Sequence, residues 1–203
     1  MLALAVSTSA AAAFERLSPA AGGVLLVKAK SEATEKKRTR AVPKPPTMDE
    51  LFQRLKQAKD DETAQGLQNR IIRRWMHSGS ATVDLLMSWA AQSIAKKDYD
   101  TALELLDRII AMKPDYAEAW NKTATIHFMR QEYGPSLDGI RRTLELEPRH
   151  FGALAGLGMI FQQLDDKPAA LEAFQKALAI NPRMAGPLKA VETLSKELEG
   201  QDI

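Results

Sequence analysis

Apolar positions recur at three- and four-residue spacing from residue 83 to residue 184, and the whole pattern repeats every 34 residues. Blocks Val83–Tyr116, Ala117–His150 and Phe151–Met184 align without gaps. Their fourth residues are Leu86, Trp120 and Leu154, and their seventh are Trp89, Thr123 and Leu157. The eighth is small each time: Ala90, Ala124, Gly158. A second small column, Ala102, Ser136 and Ala170, is followed by Leu103, Leu137 and Leu171. Leu106, Ile140 and Phe174 come next, then Ile110, Leu144 and Leu178, and each block nears its end with Pro114, Pro148 or Pro182. Such spacing puts one apolar stripe on each of two helices. A single pair cannot bury its stripes alone, so successive pairs stack and share a core. Small residues suit the points where helix backbones cross, and the proline stops the helix it follows.

The flanks carry weaker versions of the same pattern. Met48–Ser80 predicts one more helix pair, with Leu51, Phe52 and Leu55 on the first helix and Leu67, Ile71, Ile72 and Trp75 on the second. Thr47 and Asp49 offer cap chemistry at its start. In the repeat frame Lys56 and Gln68 replace the small residues and Ser80 replaces the proline, which predicts a degenerate leading repeat over 48–82. After Pro182, one side of residues 185–199 presents Leu188, Val191, Leu194 and Leu198 and the other Lys189, Glu192, Lys196 and Glu197. That pattern predicts an amphipathic helix closing the end of the stack.

The blocks resemble tetratricopeptide repeats. Trp120, Ala124, Tyr133, Ser136, Leu144 and Pro148 carry the likeness in the middle block, with Thr143 in place of the usual Ala and His127 where an aromatic is commoner. Leu154, Leu157, Gly158, Phe161, Ala170, Phe174, Ala177 and Pro182 carry it in the third, and Trp89, Ala90, Tyr99, Ala102, Leu106 and Pro114 in the first. The resemblance implies an all-α helix-turn-helix solenoid: repeats at 83–116, 117–150 and 151–184, the degenerate pair before them and the capping helix after. It also implies a groove lined by the first helix of each pair. In this frame the lining is Met87, Ala91 and Ile94, then Asn121, Thr125 and Phe128, then Ala155, Met159 and Gln162, with Lys189 following. Some relatives clamp a terminal carboxylate with Lys, Asn and Arg. The matching positions here are Met87, Ala91, Lys122, Gly152 and Gly156, so that clamp is not expected.

Upstream of the repeats the composition changes. Residues 1–14 (MLALAVSTSAAAAF) are apolar and end in small residues, as in a secretory signal peptide cleaved after Ala13. Residues 14–47 show no sustained periodicity and read as a basic linker, apart from a short apolar run at Gly22–Val27 that is a candidate to dock on the domain. Lys28–Lys44 includes Lys36, Lys37, Arg38 and Arg40. Residues 1–82 hold 14 Lys and Arg against 8 Asp and Glu, and residues 83–203 hold 14 against 18, so the positive excess is not on the repeats. The basic segment is a candidate contact for an anionic membrane surface. No aromatic residues are interleaved to stack on bases, which disfavours nucleic acid as its partner.

The chain has no cysteine, which excludes disulfides, thiolate metal sites and thiol nucleophiles. His77, His127 and His150 are isolated in the sequence, no metal-binding, phosphate-cradling or nucleophile-elbow motif occurs, and Asp165 and Asp166 fall where they would cap a helix. The expectation is a protein that is not an enzyme and needs no cofactor, metal or small-molecule substrate. It would bind a protein or peptide segment in the groove and, on the resemblance to small exported relatives of Gram-negative bacteria, work in the periplasm. The alternatives are a cytoplasmic or envelope adaptor docking on an anionic membrane surface or nucleic acid through the basic segment, and a structural subunit that oligomerises through one end of the stack.

Overall fold

The computed structural model describes residues 44–199, and among these there are nine helices and no strand. The first two are α1 (Met48–Lys56) and α2 (Asp61–Trp75). The repeats supply α3 (Ala81–Ala95) with α4 (Tyr99–Met112), α5 (Ala117–Met129) with α6 (Tyr133–Leu146), and α7 (Phe151–Gln163) with α8 (Lys167–Ile180). α9 (Ala185–Glu199) closes the series. The leader, the Gly22–Val27 run and all of the basic segment except Lys44 lie outside the described residues.

The turns repeat as faithfully as the helices. Lys97, Gln131 and Asp165, each 34 residues from the next, adopt left-handed φ of 60°, 62° and 58° just past α3, α5 and α7. The next amide along folds back over the helix end in each turn: Asp98 N–H to Ser93 O, Glu132 N–H to His127 O and Asp166 N–H to Phe161 O, all at 2.9 Å. Such a cap satisfies otherwise unpaired carbonyls and strains any residue that carries a Cβ. Asp98 and Asp166 then cap α4 and α8 through their carboxylates, on Thr101 N–H at 3.3 Å and Ala169 N–H at 3.1 Å. At the other end of each pair, Lys113, Glu147 and Asn181 are extended, with φ of −146°, −137° and −127°. Each precedes a proline, whose ring disfavours helical backbone at the residue before it.

α7 is apolar nearly all round, α5 buries residues on more than one side between its polar ones, and α4 and α6 are apolar on one side. The reason is position. A first helix packs both on its own partner and on the second helix of the pair before it. Ala119 and Ile126 of α5 are thus buried in one cluster with Leu106 and Ile109 of α4. Ala153 and Ile160 of α7 join Ile140 of α6. Close crossings select the small residues: a Cβ on Gly139 would lie 2.9 Å from Ala124 Cβ, and one on Gly158 2.7 Å from the Phe174 ring. Ser136 turns its hydroxyl inward to donate to Ala124 O at 2.8 Å, and Thr143 donates to Gly139 O at 2.8 Å. Both buried hydroxyls are thereby satisfied.

The leading pair forms, but not at the front of the stack. Thr47 caps α1 in a reciprocal capping box with Glu50, and Asp60 caps α2 on Thr63 N–H at 2.7 Å. Leu51, Phe52, Leu55, Ala64, Leu67 and Ile71 are buried against Phe151, with Ile180 and Met184 packed beside them. These partners belong to the third repeat and the turn after it. Of the described hydrophobic residues before α3, only Met76 packs against the α3–α4 core. The pair at 48–82 therefore forms as a helix pair and packs on the third repeat. Polar contacts explain why the dock is specific. Arg149 bonds Asp49 at 2.7 Å and lies 4.3 Å above the Phe52 ring. Arg183 donates to Ala58 O at 3.0 Å, Asp61 Oδ1 at 2.6 Å and Lys59 O, pinning the turn between α1 and α2. Asn181 donates to Gln68 at 2.7 Å.

Candidate functional site

The predicted lining spans a strip of first-helix positions across α3, α5 and α7, and the structure divides it. Met87 is 1% exposed and belongs to the α3–α4 core, so it lines no groove. Ile94 and Phe128 are half-buried: Ile94 packs on that same core, and Phe128 on the next one with its ring 6.0 Å from that of Tyr133. Ala91 and Ala155 are half-buried and small. Asn121 reaches Glu118 at 3.4 Å, and Thr125 donates to Asn121 O at 2.8 Å. Met159, Gln162 and Lys189 are exposed. Met129, beside Phe128, is 51% exposed and was not in the projected set, although its place next to a lining position was the available signal. Along these first-helix positions Met129 and Met159 are exposed, Ile94 and Phe128 are half-buried, and Ala91, Thr125 and Ala155 are small and half-buried.

Beneath the docked pair lies a buried polar cluster that sequence reasoning missed. His150 and Glu118 are each 3% exposed. His150 Nδ1 caps α7 by accepting from Ala153 N–H at 3.0 Å, which leaves Nε2–H to donate to Glu118 Oε2 at 3.0 Å. Trp75 of α2 stacks on the imidazole with centroids 4.2 Å apart, and Lys122 holds the other Glu118 oxygen at 2.9 Å. Burial alone would raise the pKa of Glu118, but the hydrogen bond from His150 and the charge of Lys122 outweigh it and hold the carboxylate below its ordinary range. Every ionised group here has a partner, so the cluster works as a clasp between α2, α5 and α7. His127 is half-buried and bonded to Glu132 at 2.5 Å. Among the described residues no group of three or more His, Asp or Glu is placed to hold a metal ion.

The family described as tetratricopeptide repeat matches residues 151–184, the bounds of the third block. The family described as tetratricopeptide repeat protein 21 ARM repeat matches residues 4–132, which is more than half the chain. The chain belongs to the tetratricopeptide repeat proteins. A TPR repeat-containing protein of Rhizobium etli is 46% identical over 86 residues, 42% of each chain, so the alignment spans less than half of that relative. Among solved structures, the Sgt2 TPR domain of Aspergillus fumigatus has a TM-score of 0.56 at 18% identity, over 61% of this chain and 83% of its own. The first TPR of Spaghetti (RPAP3), bound to the HSP90 peptide SRMEEVD, has 0.55 at 14%, over 58% and 93%. A MamA crystal structure has 0.54 at 17%, over 76% and 82%. At these identities the likeness is one of fold: an all-helical tetratricopeptide solenoid. Modules of this family and fold are generally non-catalytic protein-interaction units.

Proposed function

We propose that this tetratricopeptide protein is a non-enzymatic scaffold that captures a protein or peptide segment on the strip across α3, α5 and α7. The observation that carries this reading is the pair of exposed thioethers, Met129 and Met159, on first helices whose lining positions include the small residues Ala91, Thr125 and Ala155. Methionine adapts to varied apolar ligand faces, and an apolar helix face or extended segment fits a strip of this kind. The peptide-bound Spaghetti TPR supports it at the level of fold. A photo-crosslinking residue at Met159 should trap a partner that the same residue at Gln175 of α8 does not. Equal trapping at both positions refutes the reading.

The proposed site of action is the periplasm, supported by the leader-like residues 1–14. An intact mass from a periplasmic extract should match a chain beginning at Phe14, and a full-length mass from the cytoplasm refutes it. A second reading, docking on an anionic membrane surface, draws on one further observation. Arg54, Lys59, Arg70 and Arg73 line one open hollow on α1 and α2, where Asp60 is the single carboxylate and is engaged in capping. Sedimentation with anionic vesicles, strong at low salt and lost in Arg70→Glu/Arg73→Glu, supports this reading, and binding that ignores salt overturns it.

A further inference from the structure

Charge is partitioned between the two kinds of helix. No residue that α3, α5 or α7 exposes to solvent is ionisable, and on α5 and α7 the exposed residues are Met129, Met159, Gln162 and Gln163. Each second helix does expose ions: Glu104 and Asp107 on α4, Arg141 and Glu145 on α6, Glu172 and Lys176 on α8. Burial does not explain the contrast, since α3 exposes as many positions as α4. α7 contains no ionisable residue at all. The ions that the other first helices carry are engaged within the fold. Asp84 accepts from the Ser78 N–H at 2.7 Å and the Ser78 hydroxyl at 2.6 Å, and bonds His77. Glu118 is held by His150 and Lys122, and His127 bonds Glu132.

An ion on a surface that stays wet costs almost nothing and favours solubility. On a surface that a partner dries, the same ion loses its water and needs a counter-charge. First helices that expose no ion therefore suit a partner segment that is itself uncharged. A charged residue of the partner would be desolvated there without a counter-ion, and such a mismatch is how a surface rejects the wrong ligand. The polar side chains available are the amides of Asn121, Gln162 and Gln163. An amide both donates and accepts, which matches the peptide groups of a bound chain. A terminal carboxylate is disfavoured on the same grounds. Lys122 is the one cation on these helices, and Glu118 already holds it at 2.9 Å. The uncharged stretch also has an end, because Lys189 of α9, next in the repeat frame, is exposed and charged.

We propose that the segment captured on the first helices is an internal, uncharged stretch of a polypeptide, recognised through its apolar side chains and its peptide groups. This rests on the capture reading given above, and the two are separable by experiment. The full chain is used to select from a phage-displayed library of random dodecapeptides. Enriched peptides should contain Asp, Glu, Lys and Arg at least about two-fold less often than the input. They should also bind Met159→Lys poorly; Met159 is 44% exposed, and circular dichroism verifies that this variant is folded. One enriched peptide, made with acetylated and amidated ends, should bind with an affinity that changes less than about two-fold between low and high salt. Glu placed at its central positions in turn should weaken binding on the order of ten-fold. At least one of these Glu peptides should regain binding on Met159→Lys. Charged peptides that depend on Met159, or binding that needs a free carboxylate, would overturn the proposal while the capture reading stands. Peptides indifferent to Met159→Lys, or no enriched peptide, would overturn both.

Discussion

Gly158 and Phe174 form a pair whose sizes were chosen together, and the choice is measurable. In the first two repeats the corresponding pairs are Ala90 with Leu106 and Ala124 with Ile140. In the third, a full ring occupies the space a methyl group would need: a Cβ on Gly158 would meet three ring atoms of Phe174 at 2.7–2.8 Å. Phe174 is 2% exposed and has no room to swing away. Gly158→Ala should therefore overpack the crossing by about 1–3 kcal/mol, offset by about 1 kcal/mol of improved helix propensity. Phe174→Leu alone should cost about 1 kcal/mol by loosening the same crossing. Together the changes recreate the arrangement of the first repeat, so the double variant should lie within about 1 kcal/mol of the parent. The coupling energy would then be about 1–3 kcal/mol. Urea midpoints followed by far-ultraviolet circular dichroism, compared at unchanged slope, give all three numbers. The reasoning fails if Gly158→Ala alone is stabilising, or if the two changes add within about 0.5 kcal/mol.

Other consequences are equally direct. Gln131 holds a left-handed φ of 62° with a side chain attached, so Gln131→Gly should raise stability by about 0.5–1 kcal/mol; a lower urea midpoint would contradict the strain argument. Arg183 pins the turn between α1 and α2 through three acceptors, so Arg183→Ala should loosen α1 and α2, seen as faster amide exchange there while α3–α6 keep their protection; uniform loosening would mean the pair does not dock as a unit. Glu118 has a folded pKa below its unfolded value, so the unfolded chain takes up the proton first and the stability this carboxylate contributes is present above about pH 4.3 and lost as the pH falls further. Glu118→Gln should accordingly flatten the acid side of the stability profile, and an unchanged slope in urea melts between neutral and acid pH would refute the assignment.

The repeats were legible in the sequence because their determinants are local and recur. Helix stripes, small residues at crossings, a proline after an extended residue and a capping aspartate each act within one helix pair or between adjacent pairs, so a period of 34 residues displays them in columns. The small columns and the Leu106, Ile140, Phe174 column are all buried as read, while Trp89 of the seventh column is half exposed. Tertiary structure decided where α1 and α2 go. Their contacts join residues far apart in the chain, such as Arg149 with Asp49 at a separation of 100 and Arg183 with Ala58 at 125. One trace of this is visible in hindsight: Arg149 and Arg183 share a repeat position, and the first repeat has Asp115 there. Periodicity assigns that position to a solvated turn, and only the fold makes it a docking surface. His150 looked isolated for the same reason, since its partners Glu118 and Trp75 come from other helices. Met87 left the predicted lining because the surface of a solenoid depends on which helices cover it. The chain encodes which helices form through neighbours in sequence, and which surfaces stay open through contacts that only the folded array brings together.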